Sequence, residues 1–354
     1  MWLRRKVGLV VLLVVGTILV VLSPNDNLYY TQEPEKVLPG LKIDNRSAPF
    51  FGYGDLKHLS MNEFEQALQY DVVNLTMLDY NASYLIQRPA ENVCNGVDMV
   101  VYVMTMANEK SYQQRQAIRR LVKDQSFGGT IIVRFFFGKL DDIRLDLIAQ
   151  EYQDYNDLVY YNIVDYYRDN FIKWHSMNIW HMSYCSNVPY YLKLDDDTSV
   201  SFTRLFHWLD KDFDGKTKDL NEYFICPQMS GFRPVRDKNN ERWYISHEEW
   251  PQKYWPTYCY GYFVFTTNYT IDALLRVTPE TKLLHMDDVM FTGVMREKAN
   301  VPVIHWSGVV PSLSQNRDCG SDGTPIRIAV HNAKSPLRWR FDYRRIERAY
   351  CNKH

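Results

Sequence analysis

Residues 190–197 read YYLKLDDD: the short, largely apolar run Tyr190, Tyr191, Leu192, Lys193, Leu194 leads directly into Asp195, Asp196 and Asp197. Such a run is β-prone. A strand that ends in carboxylates sets several hard oxygen ligands at its tip, where a divalent cation can gather them. Adjacent carboxylates repel one another unless a cation, a partner or water offsets the repulsion. The competing reading is a solvated turn with Thr198 or Ser201 capping a helix, because Asp is a favoured turn and cap residue. The triplet alone does not choose between the two.

Its surroundings do. Working outward, the apolar run from Val97 to Thr105 predicts a buried strand, and Tyr112 to Val122 a helix after it. Thr130 to Phe137, ended by Gly138, predicts a second strand, followed by a helix from Leu140 to Tyr152. Leu158 to Val164 predicts a third strand. Between Asp165 and Cys185, Phe171, Trp174, Met182 and Cys185 fall at helical spacing, with Ile172 and Ile179 widening the face. Strands that alternate with helices predict an α/β domain whose mixed, mostly parallel sheet is covered on both faces. Ligands of such sheets bind beyond the carboxyl ends of strands. The aspartate triplet occupies such an end, which favours the cation reading.

The N-terminus carries Arg4, Arg5 and Lys6 ahead of an uncharged run from Val7 to Leu22. That run is just under the roughly 17 to 25 residues of a spanning helix, and snorkelling basic side chains extend its reach. Leu22, Ser23, Pro24 and Asn25 make a poor cleavage site, so a retained anchor is expected rather than a cleaved signal peptide. Cations before the span and Asp26, Glu33 and Glu35 after it leave residues 1–6 cytosolic. The remainder is expected to divide into a Pro-, Asn- and Tyr-rich stem, 23–92, with one helix from Asn62 to Tyr70, and a single large domain, 93–354. Asn45, Asn74, Asn81 and Asn268 begin N-x-Ser/Thr acceptor sites. Six cysteines lie beyond the anchor, an even number as expected of disulfides, with the pairing open. None is close enough to another for a structural zinc. A net charge of −1 with dispersed cations excludes a nucleic-acid footprint. The 26 Tyr and 9 Trp suit the core and also the apolar faces of sugars.

From about Val97 to the C-terminus the chain resembles the β-1,3-galactosyl- and β-1,3-N-acetylglucosaminyltransferases of the Golgi, relatives of the Fringe enzymes in glycosyltransferase family 31. Asp165, Tyr167, Lys173, Trp180 and Cys185 stand at the family's spacing ahead of KLDDDTSV, its aspartate motif. RWYISHEEWP and YWPTYCYG resemble the stretch leading into its Tyr-x-x-Gly turn, MDDVMFTG its Glu-Asp-Val-x-x-Gly motif, and AVHNAKSP its late His segment. The resemblance implies a GT-A fold built on one Rossmann-like domain, and an inverting transferase in the Golgi lumen held by a type II anchor. It implies a UDP-sugar donor, galactose foremost, and a glycan, glycolipid or glycoprotein acceptor. Homo- or hetero-oligomers are compatible with it. Carried over by position, Asp197 and His331 hold a divalent metal, usually manganese. Asp195 and Asp196 support the donor and its ribose, and Asp288 is the catalytic base. Asp165 and Lys173 share the donor-side motif.

The residue types suit that chemistry. A fixed cation neutralises charge on a departing diphosphate, carboxylate with imidazole suits manganese, and one carboxylate within reach of the acceptor hydroxyl suffices for inversion. Each assignment has a plainer counterpart. Asp287 or Asp288 could be a helix N-cap, and His331 a structural histidine at a strand end. Arg115 and Arg119, four apart on a helix, could face a diphosphate or simply solvent. Tyr258 and Gly261 could shape the donor pocket or merely a turn. Leu121, Val122, Phe263 and Asp287 depart from the family pattern, the first two near the expected nucleotide pocket. Two other readings are a catalytically silent relative that serves an active transferase as partner or sugar-binding subunit, and a phosphatase using Asp195 and Asp197.

Overall fold

A computed structural model describes residues 68–124, 127–139, 145–312 and 318–351, together with Gln66 and the backbone of three two-residue strands nearer the N-terminus. Apart from the backbone at 13–14 and 17–18, the expected anchor at 7–22 lies outside the described residues, as does most of the expected stem, Asn45 included. Two of the short strands, Leu13–Val14 and Thr17–Ile18, pair with each other in the unit Met1–Val37. Among the described residues no helix is long and apolar enough to cross a membrane.

The second unit, Leu38–His354, is organised by a ten-stranded sheet. From one edge its strands run Val303–His305, Phe224–Cys226, Phe263–Thr267, Tyr190–Asp195, Met99–Met104, Ile131–Lys139, Leu158–Val164, Asn81–Gln87, Tyr70–Thr76 and Leu41–Lys42. The four from Tyr190–Asp195 to Leu158–Val164 are mutually parallel, whereas Phe263–Thr267 and the Asn81–Gln87 side join antiparallel, so the sheet is mixed. Met99–Met104 is buried along its whole length. Its residues serve two cores in strict alternation: Val100, Tyr102 and Met104 pack with Trp174, Met177 and Trp180 of the helix Asn170–Tyr184 on one face. Met99, Val101 and Val103 pack with Ile118, Ile148 and Phe202 on the other. Burial on both faces explains why this strand reads as an unbroken apolar run.

The domain starts earlier than the sequence suggests. Tyr70–Thr76 and Asn81–Gln87 pair over seven positions, and Ile86 faces Tyr161 of the main sheet. The expected loose stem before Cys94 is therefore corrected: the compact fold is under way by Leu68, which is itself buried. Tyr70–Thr76 buries alternate residues, Asp71, Val73 and Leu75, and Asp71, Asn74 and Thr76 gave the segment a linker-like composition. Tyr70, expected to end a helix, begins this strand. Asn81 is exposed, while Asn74 and Asn268 are half-buried. The cysteines pair as Cys94–Cys185, Cys226–Cys259 and Cys319–Cys351.

Candidate active site

Asp195 stands opposite Met104 in the parallel register, so Thr105 and the triplet 195–197 leave the sheet side by side at its carboxyl edge. A cavity of about 880 Å³ opens there. Ser199–Val200 pairs antiparallel with Ala329–Val330, and this short buried ladder carries the distant His331 to the triplet. The Ala333 amide then donates to the Asp197 carbonyl at 2.8 Å.

The three aspartates have different environments. Lys193, its side chain 2% exposed, donates to the Asp195 carboxylate at 2.6 Å and to the Gly261 carbonyl. Asp196 accepts from the Thr105 hydroxyl at 2.8 Å. Burial pushes Asp196 up to about 6, against hydrogen bonds from Ser111 and Thr105 that lower it. Asp197 Oδ1 lies 2.9 Å from His331 Nε2. Burial raises the Asp197 carboxyl too, but the His331 hydrogen bond and charge, with Lys110 and Lys334 behind it, win and hold it below the ordinary carboxylate value. The His331 ring lies flat on Tyr262, centroids 4.3 Å apart and planes 6° from parallel, which fixes the imidazole in the cavity wall. Asp195, Asp197 and His331 each offer one ligand atom, all within 4.8 Å of one another. Two carboxylates and an imidazole at that spacing fit a manganese-class cation.

Across the same cavity, Asp287 and Asp288 begin the helical segment Asp287–Val289, which continues through the π-turn Met290–Met295. Met286 takes the N-cap position, so neither aspartate is the cap. The Val289 amide donates to Asp288 Oδ1 at 2.8 Å. Burial first, then the charge of Asp287, raises Asp288 to about 7, opposed by the Val289 amide and Lys193. A carboxylate poised near neutrality suits a general base. Gly261 abuts Asp288, and the buried Tyr258 lines the same cavity.

Asp165 and Lys173 form a buried ion pair at 2.7 Å on the cavity floor, and Lys173 also donates to the Thr105 carbonyl at 2.7 Å. Thus Asp165, Lys173, Asp195, Asp196, Asp197, Tyr258, Gly261, Asp288 and His331 meet at one cavity. Arg115 and Arg119 do not, and their expected diphosphate role is corrected. Arg115 is fully buried and holds both Glu151 oxygens, at 2.8 and 2.6 Å, while Arg119 pairs with Glu151 and Asp157. Arg115 also donates to the Thr105 hydroxyl and the Met106 carbonyl, so four of its five donors are engaged, and neither guanidinium lines the cavity. Leu121 and Val122 pack on the core rather than the cavity, and Phe263 is buried opposite Leu194. Of the departures only Asp287 lines the site.

Sequence reasoning missed Lys193, Lys110 and Lys334, and it left Asp195 out of the ligand set. A lysine inside an apolar strand run was the available signal for Lys193, since a buried ammonium demands a partner. Nothing local marks Lys110.

A model of the family described as Galactosyltransferase matches residues 113–307. Human beta-1,3-galactosyltransferase 1 is 27% identical over 233 residues, covering 65% of this chain and 69% of that protein. Human beta-1,3-galactosyltransferase 2 is 26% identical over 230 residues, covering 63% and 52%. Among solved structures, mouse xyloside xylosyltransferase 1 in its apo form aligns with a TM-score of 0.35 at 13% identity, over 67% of this chain and 98% of that one.

Proposed function

The chain belongs to the galactosyltransferase family, and we propose that it is an inverting, metal-dependent enzyme that transfers a hexose or N-acetylhexosamine, galactose foremost, from a UDP-sugar to a glycan hydroxyl in β-1,3 linkage. The observation that carries this reading is the convergence of Asp195, Asp197 and His331 with Asp288 on one cavity.

Asp195, Asp197 and His331 would hold the manganese ion, which when bound offsets negative charge on the departing diphosphate. Lys110 and Lys334, already close enough to lower Asp197, add positive charge on that side. Lys193 orients Asp195, and the stacked Tyr262 orients His331. Asp288 accepts the proton of the acceptor hydroxyl. As that oxygen bonds to the anomeric carbon, the bond from the carbon to the phosphate oxygen breaks and its electron pair leaves with UDP. One displacement turns an α-linked donor into a β-linked product. The proposal extends to a GT-A fold type and to a Golgi membrane protein anchored by 7–22 with its catalytic domain in the lumen. Three disulfides support an oxidising compartment.

The test is UDP release and sugar transfer by the full-length protein, across the common UDP-sugars, with and without manganese. Transfer that needs manganese and Asp288 supports the enzyme. A folded protein inert toward every donor contradicts it and favours a silent partner, and release of inorganic phosphate in place of UDP favours a phosphatase.

A further inference from the structure

The cavity's outer wall is built by the excursion between strands Gln228–Met229 and Tyr258–Cys259, and it combines exposed rings with arginines. Phe232 is 48% exposed, Trp243 43% and Tyr167, on the facing turn, 42%. The Arg242 guanidinium carbon lies 3.8 Å from the Tyr167 ring centroid and 5.3 Å from that of Trp243, and Trp243 Nε1 donates to the Tyr167 hydroxyl at 3.1 Å. Arg233 sits 5.4 Å over the Tyr254 ring. Among the described residues neither Arg233 nor Arg242 has a carboxylate partner, whereas Arg115, Arg119 and Arg168 each hold one. The rings restrain each guanidinium, whose polar contacts are with the Tyr167 and Tyr254 phenols rather than with an anion, so the positive charge of each is left unmatched.

This wall belongs to the base side of the cavity. At its far end the Cys259 amide donates to the Thr292 hydroxyl at 2.8 Å and Arg296 donates to the Thr257 carbonyl at 3.1 Å, and Thr292 in turn donates to the Asp288 carbonyl. The wall is also held in shape: Arg236 donates to the carbonyls of Ile245 at 2.9 Å, Ser246 at 2.5 Å, Trp250 at 2.5 Å and Gln252 at 3.3 Å, and Cys226–Cys259 ties the base of the excursion. A wall set before binding loses less entropy on capture.

We infer that Arg233 and Arg242, with the Tyr167 and Trp243 rings, recognise an acceptor glycan that carries an anionic group, a uronic carboxylate or a sulfate or phosphate ester. The inference rests on the transferase reading above. Rings cover the apolar sugar face, and the guanidinium fork matches a planar carboxylate or the oxygens of an ester. A neutral sugar would dehydrate two cations and return no charge to them.

The experiment uses the full-length protein with manganese and each common UDP-sugar, UDP-galactose first. UDP release without acceptor is measured first, then transfer to matched pairs: a β-glucoside against the β-glucuronide, and a β-galactoside against its sulfated and its phosphorylated forms. The expected result is a kcat/KM about tenfold or more higher for a charged member, the worth of one charge-assisted hydrogen bond; which member wins tells carboxylate from ester. Arg242→Gln and Arg233→Gln each collapse that preference, mainly by raising KM for the charged acceptor, and Arg242→Lys restores part of it. Equal transfer to both members of every pair, or a preference that survives both glutamine variants, overturns the inference and leaves the transferase reading intact. No UDP release from any UDP-sugar overturns that reading and this inference with it.

Discussion

Gly261 abuts Asp288 so closely that a methyl group on the glycine would lie 3.3 Å from the Asp288 Cβ and 3.9 Å from its Oδ2. The Gly261 carbonyl also holds Lys193, which in turn holds Asp195. One residue without a side chain thus joins Asp288, the proposed base, to Asp195 of the aspartate triplet. Gly261→Ala is expected to displace the Asp288 carboxylate by a few tenths of an ångström and to slow turnover by roughly ten- to a hundredfold. Overpacking costs about 1–3 kcal/mol, so thermal unfolding should show a folded protein. Unchanged kcat would contradict the contact's importance.

Asp288→Asn removes the base and should lower kcat by about 10²-fold or more. In the wild type, activity should rise with pH through about 7 as the carboxyl ionises, and the residual activity of the variant should lose that limb. A pH–rate profile of both proteins checks it.

The same group makes a stability prediction of fixed sign. The Asp288 carboxyl is raised on folding from 3.8 to about 7. Between those values the unfolded chain has lost a proton that the native one retains, so stability falls as pH rises, and the loss is complete above about 7. Asparagine cannot ionise. The metal-free Asp288→Asn variant should therefore gain in Tm over the wild type from pH 4 to pH 8, seen by calorimetry, and a constant difference would contradict the shift.

Manganese should raise the Tm of the wild type, because a ligand of the folded state adds about 2.7 kcal/mol at a hundred times its Kd. Asp197→Ala and His331→Ala should each remove most of that gain. Asp195→Ala should do so as well, and this outcome separates a site built on all three clustered residues from one limited to Asp197 and His331.

Arg115→Met should act on stability, not on donor binding. It removes both Arg115 hydrogen bonds to the buried Glu151 carboxylate and leaves it only Arg119, and loss of a charge-assisted hydrogen bond costs about 1.5–3 kcal/mol. Denaturant unfolding should report that loss, while KM for the UDP-sugar stays near the wild-type value. A KM increase with unchanged stability would return Arg115 to the donor site.

The parallel centre of the fold was legible because strands buried on both faces leave uninterrupted apolar runs, as Met99–Met104 does. Tyr70–Thr76 was not, since its three buried positions include Asp71 beside Val73 and Leu75, and its partner is the next strand of a hairpin, with only Ile86 of that strand registered on the main sheet. In the site, the aspartate triplet announced itself through the unfavourable closeness of its charges. His331 needed the family spacing, because a two-residue ladder, Ser199–Val200 with Ala329–Val330, brings it to Asp197 from 134 positions along the chain and leaves no local pattern. Arg115 and Lys193 misled in opposite directions. Helical spacing makes a cation look available, and only the structure shows Glu151 already occupying Arg115; a lysine inside an apolar strand looks like an interruption until its contact with Asp195 is seen.

The most direct test is the anomeric configuration of the product made from UDP-galactose with manganese, read by NMR, for the wild type and Asp288→Asn. A β-linked product from the wild type, lost in the variant while the variant still binds manganese and UDP, is the predicted result. An α-linked product, or undiminished transfer by Asp288→Asn, would contradict a single displacement driven by that carboxylate.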